Sequence, residues 1–80
     1  MDRNIIYKQL ADIFMDVFDL DEVILDDSTT ADDIEEWDSL THVQMVVAVE
    51  KQFNIKFTSL EIMSWSNVGQ LVDTIEKHLS

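Results

Sequence analysis

Residues 35–42 read Glu-Glu-Trp-Asp-Ser-Leu-Thr-His. On the N-terminal side of this stretch no hydrophobic period is sustained; on its C-terminal side a helical one begins. Ser39 stands at the junction, between an aspartate and a leucine. Helix starts favour Ser, Thr, Asp and Asn, whose side-chain oxygens accept from backbone N–H groups that lack an intrahelical partner. Asp38 is as good a cap as Ser39 and comes one residue earlier. With Asp38 capping, Ser39 falls in the first turn and its hydroxyl can face solvent. Three roles compete for it: a cap, a nucleophile, or a handle to which another group is joined.

Downstream of this junction, Leu40, Val43, Val46, Val47 and Phe53 are the apolar positions expected for the serine helix, and Asn54 can take the left-handed conformation that ends one. Ile55 and Phe57 alternate with polar residues, which predicts a short extended link. Thr58-Ser59-Leu60-Glu61 has capping-box spacing and opens a short helix through Ile62 and Met63. Asn67-Val68-Gly69-Gln70 repeats the cap logic before a last helix carrying Val68, Leu71, Val72, Ile75 and Leu79. Upstream, Ile5, Ile6, Leu10, Ile13, Phe14, Val17 and Phe18 form one apolar stripe. Between that helix and Asp38 lie residues 19–37, long for a simple connector. Leu20, Val23, Leu25, Ile34 and Trp37 give them anchors, so they are expected to pack along the helices. The reading is all-α: a four-helix bundle of three principal helices and one short one, with a long first loop. With no proline, one glycine and no repeat or linker, residues 1–80 read as a single domain.

Composition narrows the function. Seventeen acidic residues face five basic ones, a net charge of −12. Between Gln9 and Val49 there are twelve acids and no Lys or Arg. Such a surface repels phosphate backbones, which argues against nucleic-acid binding, and attracts partners with basic patches. A 46% hydrophobic content argues for a packed core rather than disorder. No apolar run approaches the roughly 18 residues that span a membrane, and the N-terminus lacks the pattern of a secretory signal. The absence of cysteine excludes disulfides and thiolate zinc sites. A soluble, cytoplasmic, monomeric protein is expected.

Asp38, Ser39 and His42 do not make a catalytic triad. Ser39 and His42 share a helix face, but the acid adjoins the serine instead of orienting the far nitrogen of the histidine. No glycine-rich turn offers an oxyanion hole. The chain is therefore not read as an enzyme, and no residue is assigned as catalytic. Attachment suits the position better: the hydroxyl is exposed on a rigid element, and a phosphate there meets the positive end of a helix dipole.

Asp38-Ser39-Leu40 at the head of a helix, after a long acidic loop, resembles the acyl carrier protein family, and the likeness runs through the whole chain, including Glu50-Lys51-Gln52-Phe53-Asn54-Ile55-Lys56-Phe57. The resemblance implies a carrier domain that holds acyl intermediates as thioesters on 4′-phosphopantetheine attached to Ser39, for lipid, polyketide or related specialised biosynthesis. It assigns Asp38 to capping and recognition and Leu40 to anchoring the turn in the core. The implied partners are a phosphopantetheinyl transferase, which transfers the arm from coenzyme A, and acyl-loading, condensing or transferase enzymes with basic docking patches. The arm would bring the thiol that this chain lacks. The alternative is a non-catalytic acidic interaction module in which Ser39 only caps its helix.

One stretch departs from the family pattern. Many fatty-acid carriers place several acids along the serine helix; here Thr41-His42-Val43-Gln44-Met45 carries none, and acid returns only at Glu50. Docking is expected through Ser39, His42, Gln44 and Val47, with Met45 a possible addition, while Glu35 and Glu36 of the preceding loop steer the encounter. Trp37 and Trp65 are expected to be packing anchors.

The acids at Asp19, Asp21, Glu22, Asp26 and Asp27 do not form a calcium loop, since Val23, Ile24 and Thr30 fall where an EF-hand requires an oxygen ligand, glycine and glutamate. No metal site is assigned. Diffuse screening of the acidic surface predicts that millimolar magnesium or calcium raises Tm at low ionic strength; an unchanged Tm would contradict it.

Overall fold

The computed structural model describes residues 2–80. Among them are four α-helices, α1 (Arg3–Val17), α2 (Ser39–Phe53), α3 (Ser59–Ser64) and α4 (Val68–Leu79), one 3₁₀ turn at Ala31–Asp33, and no strand. The all-helical expectation and the long first loop stand. α1 packs on α2 and α4, and α3 packs on α4. None of the helices is long and apolar enough to cross a membrane.

Each helix begins where a side chain satisfies its first N–H groups. Asp2 accepts from Asn4, Asp38 from Leu40 and Thr41, Thr58 from Glu61, and Asn67 from Gln70. The Thr58 box is reciprocal, with Glu61 accepting from the Thr58 N–H at 2.8 Å. Asn54 ends α2 in the left-handed region, at φ 55°. Asp19, also at φ 55°, follows the end of α1, where Leu20 N–H donates to Met15 O at 2.9 Å.

Ile6, Leu10, Phe14 and Phe18 of α1 and its cap meet Met45, Val46, Val49 and Phe53 of α2 and Val68, Leu71, Val72 and Ile75 of α4 in one core cluster. Ile34 and Phe57 join it, and Leu20, Val23, Leu25, Trp37 and Trp65 pack against it. The loop anchors thus act as expected. Ile5 is a correction: it lies at the edge of the α1 stripe and is exposed.

The larger correction concerns α2. Leu40 and Val43 are 69% and 59% exposed, beside Val47, which is exposed as a docking contact should be, whereas Met45 is fully buried. At about 100° per residue, Met45, Val46, Val49 and Phe53 lie on one side of the helix and Leu40, Val43 and Val47 on the other. A helix apolar on nearly every side has two candidate core faces. The packing of α1 selects the one bearing Met45, so Leu40 does not anchor the turn in the core.

The long loop is tied down by polar contacts as well. Val68 N–H donates to Thr29 O at 2.7 Å and Gly69 N–H to Asp27 O at 3.2 Å, fastening the loop to the start of α4. The guanidinium of Arg3 donates to Asp27 at 2.8 Å, to Asp73 at 2.9 Å and to Glu76, and Tyr7 donates its hydroxyl to Asp27. These bonds, that to Asp27 foremost, raise the Arg3 pKa. The bonds from Tyr7 and Arg3 hold Asp27 below the usual carboxylate range.

Gly69 is where the loop and α4 come closest. A Cβ there would stand 2.8 Å from Asp27 O and 2.9 Å from Asp27 Cβ, so the loop backbone would have to move. Alanine is the better helix former, yet Gly69→Ala is expected to lower stability by about 1–3 kcal/mol through overpacking. Urea unfolding checks this; an equal or higher stability would contradict the close approach.

Candidate functional site

The head of α2 is built by a reciprocal capping box. Asp38 is extended, at φ −118° and ψ −172°, and its Oδ1 accepts from the backbone N–H groups of Leu40 and Thr41, each at 2.9 Å. Thr41 Oγ1 in turn accepts from Asp38 N–H at 2.8 Å and donates to Glu36 O at 2.9 Å. These bonds, led by that from the Thr41 N–H, hold the Asp38 carboxyl below its ordinary range. With capping done by Asp38, Ser39 is the first residue of α2. It is exposed, and among the described residues its hydroxyl has no hydrogen-bond partner. It is a free nucleophilic oxygen at the positive end of a 15-residue helix.

His42 is not the surface histidine that the sequence suggests. It is half-buried, and Trp37 Nε1–H donates to its Nδ1 at 3.0 Å while the two rings stack, with centroids 5.9 Å apart. An indole N–H can only donate, so His42 Nδ1 is the unprotonated nitrogen. No bond joins His42 to Ser39 among the described residues. Trp37 also sets its edge against Phe14, at 5.3 Å between centroids.

Ala31, Trp37 and His42 line an open hollow with Asp38 and Ser39. The same three residues, with Trp65, Ser66, Asn67 and Leu71, line a second, partly open cavity of about 100 Å³. Trp65 is held from behind, its Nε1–H donating to Thr74 Oγ1 at 2.9 Å and its ring meeting Phe57 edge-on at 4.9 Å.

Of the residues singled out from sequence, Asp38, Ser39, Leu40, Glu35 and Glu36 cluster at the exposed head of α2, and Gln44 and Val47 continue along its exposed side. Met45 turns away into the core, and His42 faces the aromatic cavity. Leu40 and Val43 were not expected on this surface. The signal that could have found them is the second apolar stripe at positions 40, 43 and 47.

Residues 8–75 match the protein family described as "Phosphopantetheine attachment site". The chain is similar to the solution NMR structure of a holo acyl carrier protein from Geobacter metallireducens, with 41% sequence identity and a TM-score of 0.85, over 91% of this chain and 84% of that one. A comparison with curated proteins gives no significant match.

Burial pushes the His42 pKa down, and the Trp37 bond also requires an unprotonated Nδ1. A histidine depressed in this way contributes stability that is complete above its unfolded value of about 6.5 and declines as pH falls below it. An NMR titration should place the His42 midpoint below the ordinary histidine value, with the proton of the neutral ring on Nε2. A midpoint at or above the ordinary value would contradict the contact.

Proposed function

The chain belongs to the phosphopantetheine-attachment family of acyl carrier proteins, and on that premise we propose that Ser39 is the residue that bears the arm. The protein is a carrier and not a catalyst, and 4′-phosphopantetheine is its prosthetic group. When attached, that group supplies the thiol through which an acyl group is carried, and which this cysteine-free chain cannot supply itself.

The observation that carries the assignment is the division of labour at the head of α2: Asp38 satisfies the orphan N–H groups, and Ser39 Oγ is left exposed and unbonded. A phosphodiester at this oxygen fits the site, because its charge lies against the positive end of α2. Ser59 stands in the same local position at the start of α3, also before a leucine and after a capping threonine. That helix has six residues, and no acidic run precedes it. Ser39 has both the longer helix and the acids Glu35, Glu36 and Asp38 with which to draw in a basic transferase.

The docking surface proposed for partners is the exposed side of α2. Leu40, Val43 and Val47 make an apolar stripe with Gln44 beside it, and Glu35, Glu36 and Asp38 lie at its head. Apolar contacts of this kind set the lifetime of a complex, while the rim acids set its rate of formation. The partners are the phosphopantetheinyl transferase and acyl-loading, condensing or transferase enzymes with basic patches. The lack of acids along α2 before Glu50 favours a dedicated carrier of lipid, polyketide or other specialised biosynthesis over a general fatty-acid carrier. Residues 1–80 are read as one carrier domain, supported by a core cluster to which α1, α2 and α4 all contribute, and as a monomer acting in the cytoplasm.

Incubation with coenzyme A, magnesium and a broad-specificity transferase should add the mass of one arm to the wild type and to Ser59→Ala, and none to Ser39→Ala. No gain in the wild type would instead favour an acidic interaction module. In the loaded protein, alanine at Leu40, Val43 or Val47 is expected to slow transfer with a cognate enzyme by up to roughly tenfold. Rates that stay intact through these changes and Gln44→Ala would refute the docking surface.

A further inference from the structure

The cap that leaves Ser39 Oγ free also spends the donors that a phosphate at that oxygen would otherwise use. The N–H groups of Leu40 and Thr41 donate to Asp38 Oδ1, and that of His42 donates to Asp38 O at 2.9 Å. Thr41 Oγ1 gives its hydrogen to Glu36 O. The helix dipole still favours an anion at this end of α2, but the non-bridging oxygens of a phosphodiester are held most strongly by direct N–H or O–H donors.

The hollow that contains Ser39 is lined by Ala31, Trp37, Asp38 and His42 besides. Ala31 has no polar side chain, the ionised Asp38 only accepts, and the single indole donor of Trp37 is committed to His42 Nδ1 at 3.0 Å. Of these four neighbours, only His42 has a side-chain donor to spare. Because its Nδ1 accepts, the proton of the neutral ring sits on Nε2, on the edge of the ring away from Trp37, and Nε2 has no hydrogen-bond partner among the described residues. Ser39 and His42 are three apart in α2, so they share a face with their Cβ atoms about 5–6 Å apart. A phosphate on the serine and the imidazole of the histidine together span such a gap. No other charge faces the ring: Trp65, Ser66, Asn67 and Leu71, which line the adjoining cavity, are all neutral, and Asp38 is spent on the cap.

We propose that His42 is a positioning residue for the prosthetic arm: its Nε2–H donates to a non-bridging oxygen of the phosphodiester at Ser39, and Trp37 holds the ring in the tautomer that can do so. The proposal rests on attachment at Ser39. It gives the direction in which the arm leaves α2 a structural cause. It also gives a use to the acid-free stretch Thr41-His42-Val43-Gln44-Met45: a carboxylate at position 42 would repel the phosphodiester, whereas histidine binds it.

The test compares the ¹⁵N-labelled protein before and after a transferase has loaded the arm from coenzyme A, with intact mass confirming each state. The ring nitrogens of His42 are followed by NMR from about pH 5 to 8. A phosphodiester in contact favours the imidazolium, so the His42 midpoint should stand higher in the loaded protein by roughly 0.5 pH or more. His78, in the last turn of α4, should not move. The ³¹P signal of the loaded protein should titrate with the His42 midpoint, and the proton of the neutral ring should stay on Nε2. In loaded His42→Gln the ³¹P signal should lose that dependence on pH; should this variant fail to fold or load, the wild-type pair decides alone. Equal His42 midpoints in the two states, a ³¹P signal that ignores the His42 titration, or a neutral ring protonated at Nδ1 would overturn the proposal while leaving attachment at Ser39 intact. Failure of the wild type to gain mass would overturn attachment and this proposal together.

Discussion

Asp38 Oδ1 accepts from two N–H groups that nothing inside α2 can satisfy, and the placement of the site follows from that contact. It sets the first residue of the helix at position 39. The reciprocal bond through Thr41, continued to Glu36 O, fixes the end of the long loop against the same turn. Trp37, one residue before the cap, is thereby directed inward against Phe14 and Phe18 and across to His42. A single cap is worth only about 1 kcal/mol, yet this one decides which oxygen is spent on the helix and which is left free for chemistry. The carrier role needs a hydroxyl that is rigidly held and otherwise idle, and Ser39 is both.

A second constraint is charge. A chain with a net charge of −12 must hold its acids apart or pair them with very few bases. Its one arginine, Arg3, gathers Asp27, Asp73 and Glu76 where α1, the loop and α4 meet. His78 Nε2 hydrogen-bonds the Glu61 carboxylate at 3.0 Å, joining α4 to α3 in a contact that needs no histidine charge. The acids around Ser39 have no such basic partner among the described residues. Asp38 is spent on the helix cap, and Glu35 and Glu36 remain exposed and available to a basic partner. The same distribution that holds the loop to α4 therefore leaves the field at the head of α2 uncompensated.

The helix order, the caps and the loop anchors were legible because each rests on local chemistry: Asp38, Thr58 and Asn67 sit where a short polar side chain can reach its own helix, and Leu20, Leu25 and Ile34 interrupt an otherwise acidic loop. The sides of α2 were not legible. Leu40, Val43 and Val47 match a helical period as well as Met45, Val46 and Val49 do, and only the packing of α1 separates the two sets. Long-range contacts were equally silent. Nothing local marks His42 as the acceptor for Trp37 across the loop–helix corner, or Gly69 as the point where α4 touches Asp27. The partly open cavity lined by Trp37 and Trp65 depends on both tryptophans arriving from distant segments, so it is a property of the fold alone.

The central claim is that position 38 does the structural work and position 39 is held in reserve, and a paired stability measurement tests it most directly. Unfolding by urea should show Asp38→Ala losing about 1 kcal/mol or more, as loss of a helix cap does, while Ser39→Ala leaves the midpoint unchanged or slightly raised because alanine favours the helix interior. A large loss at Ser39 with little at Asp38 would mean that the serine is the cap, and the account would fail.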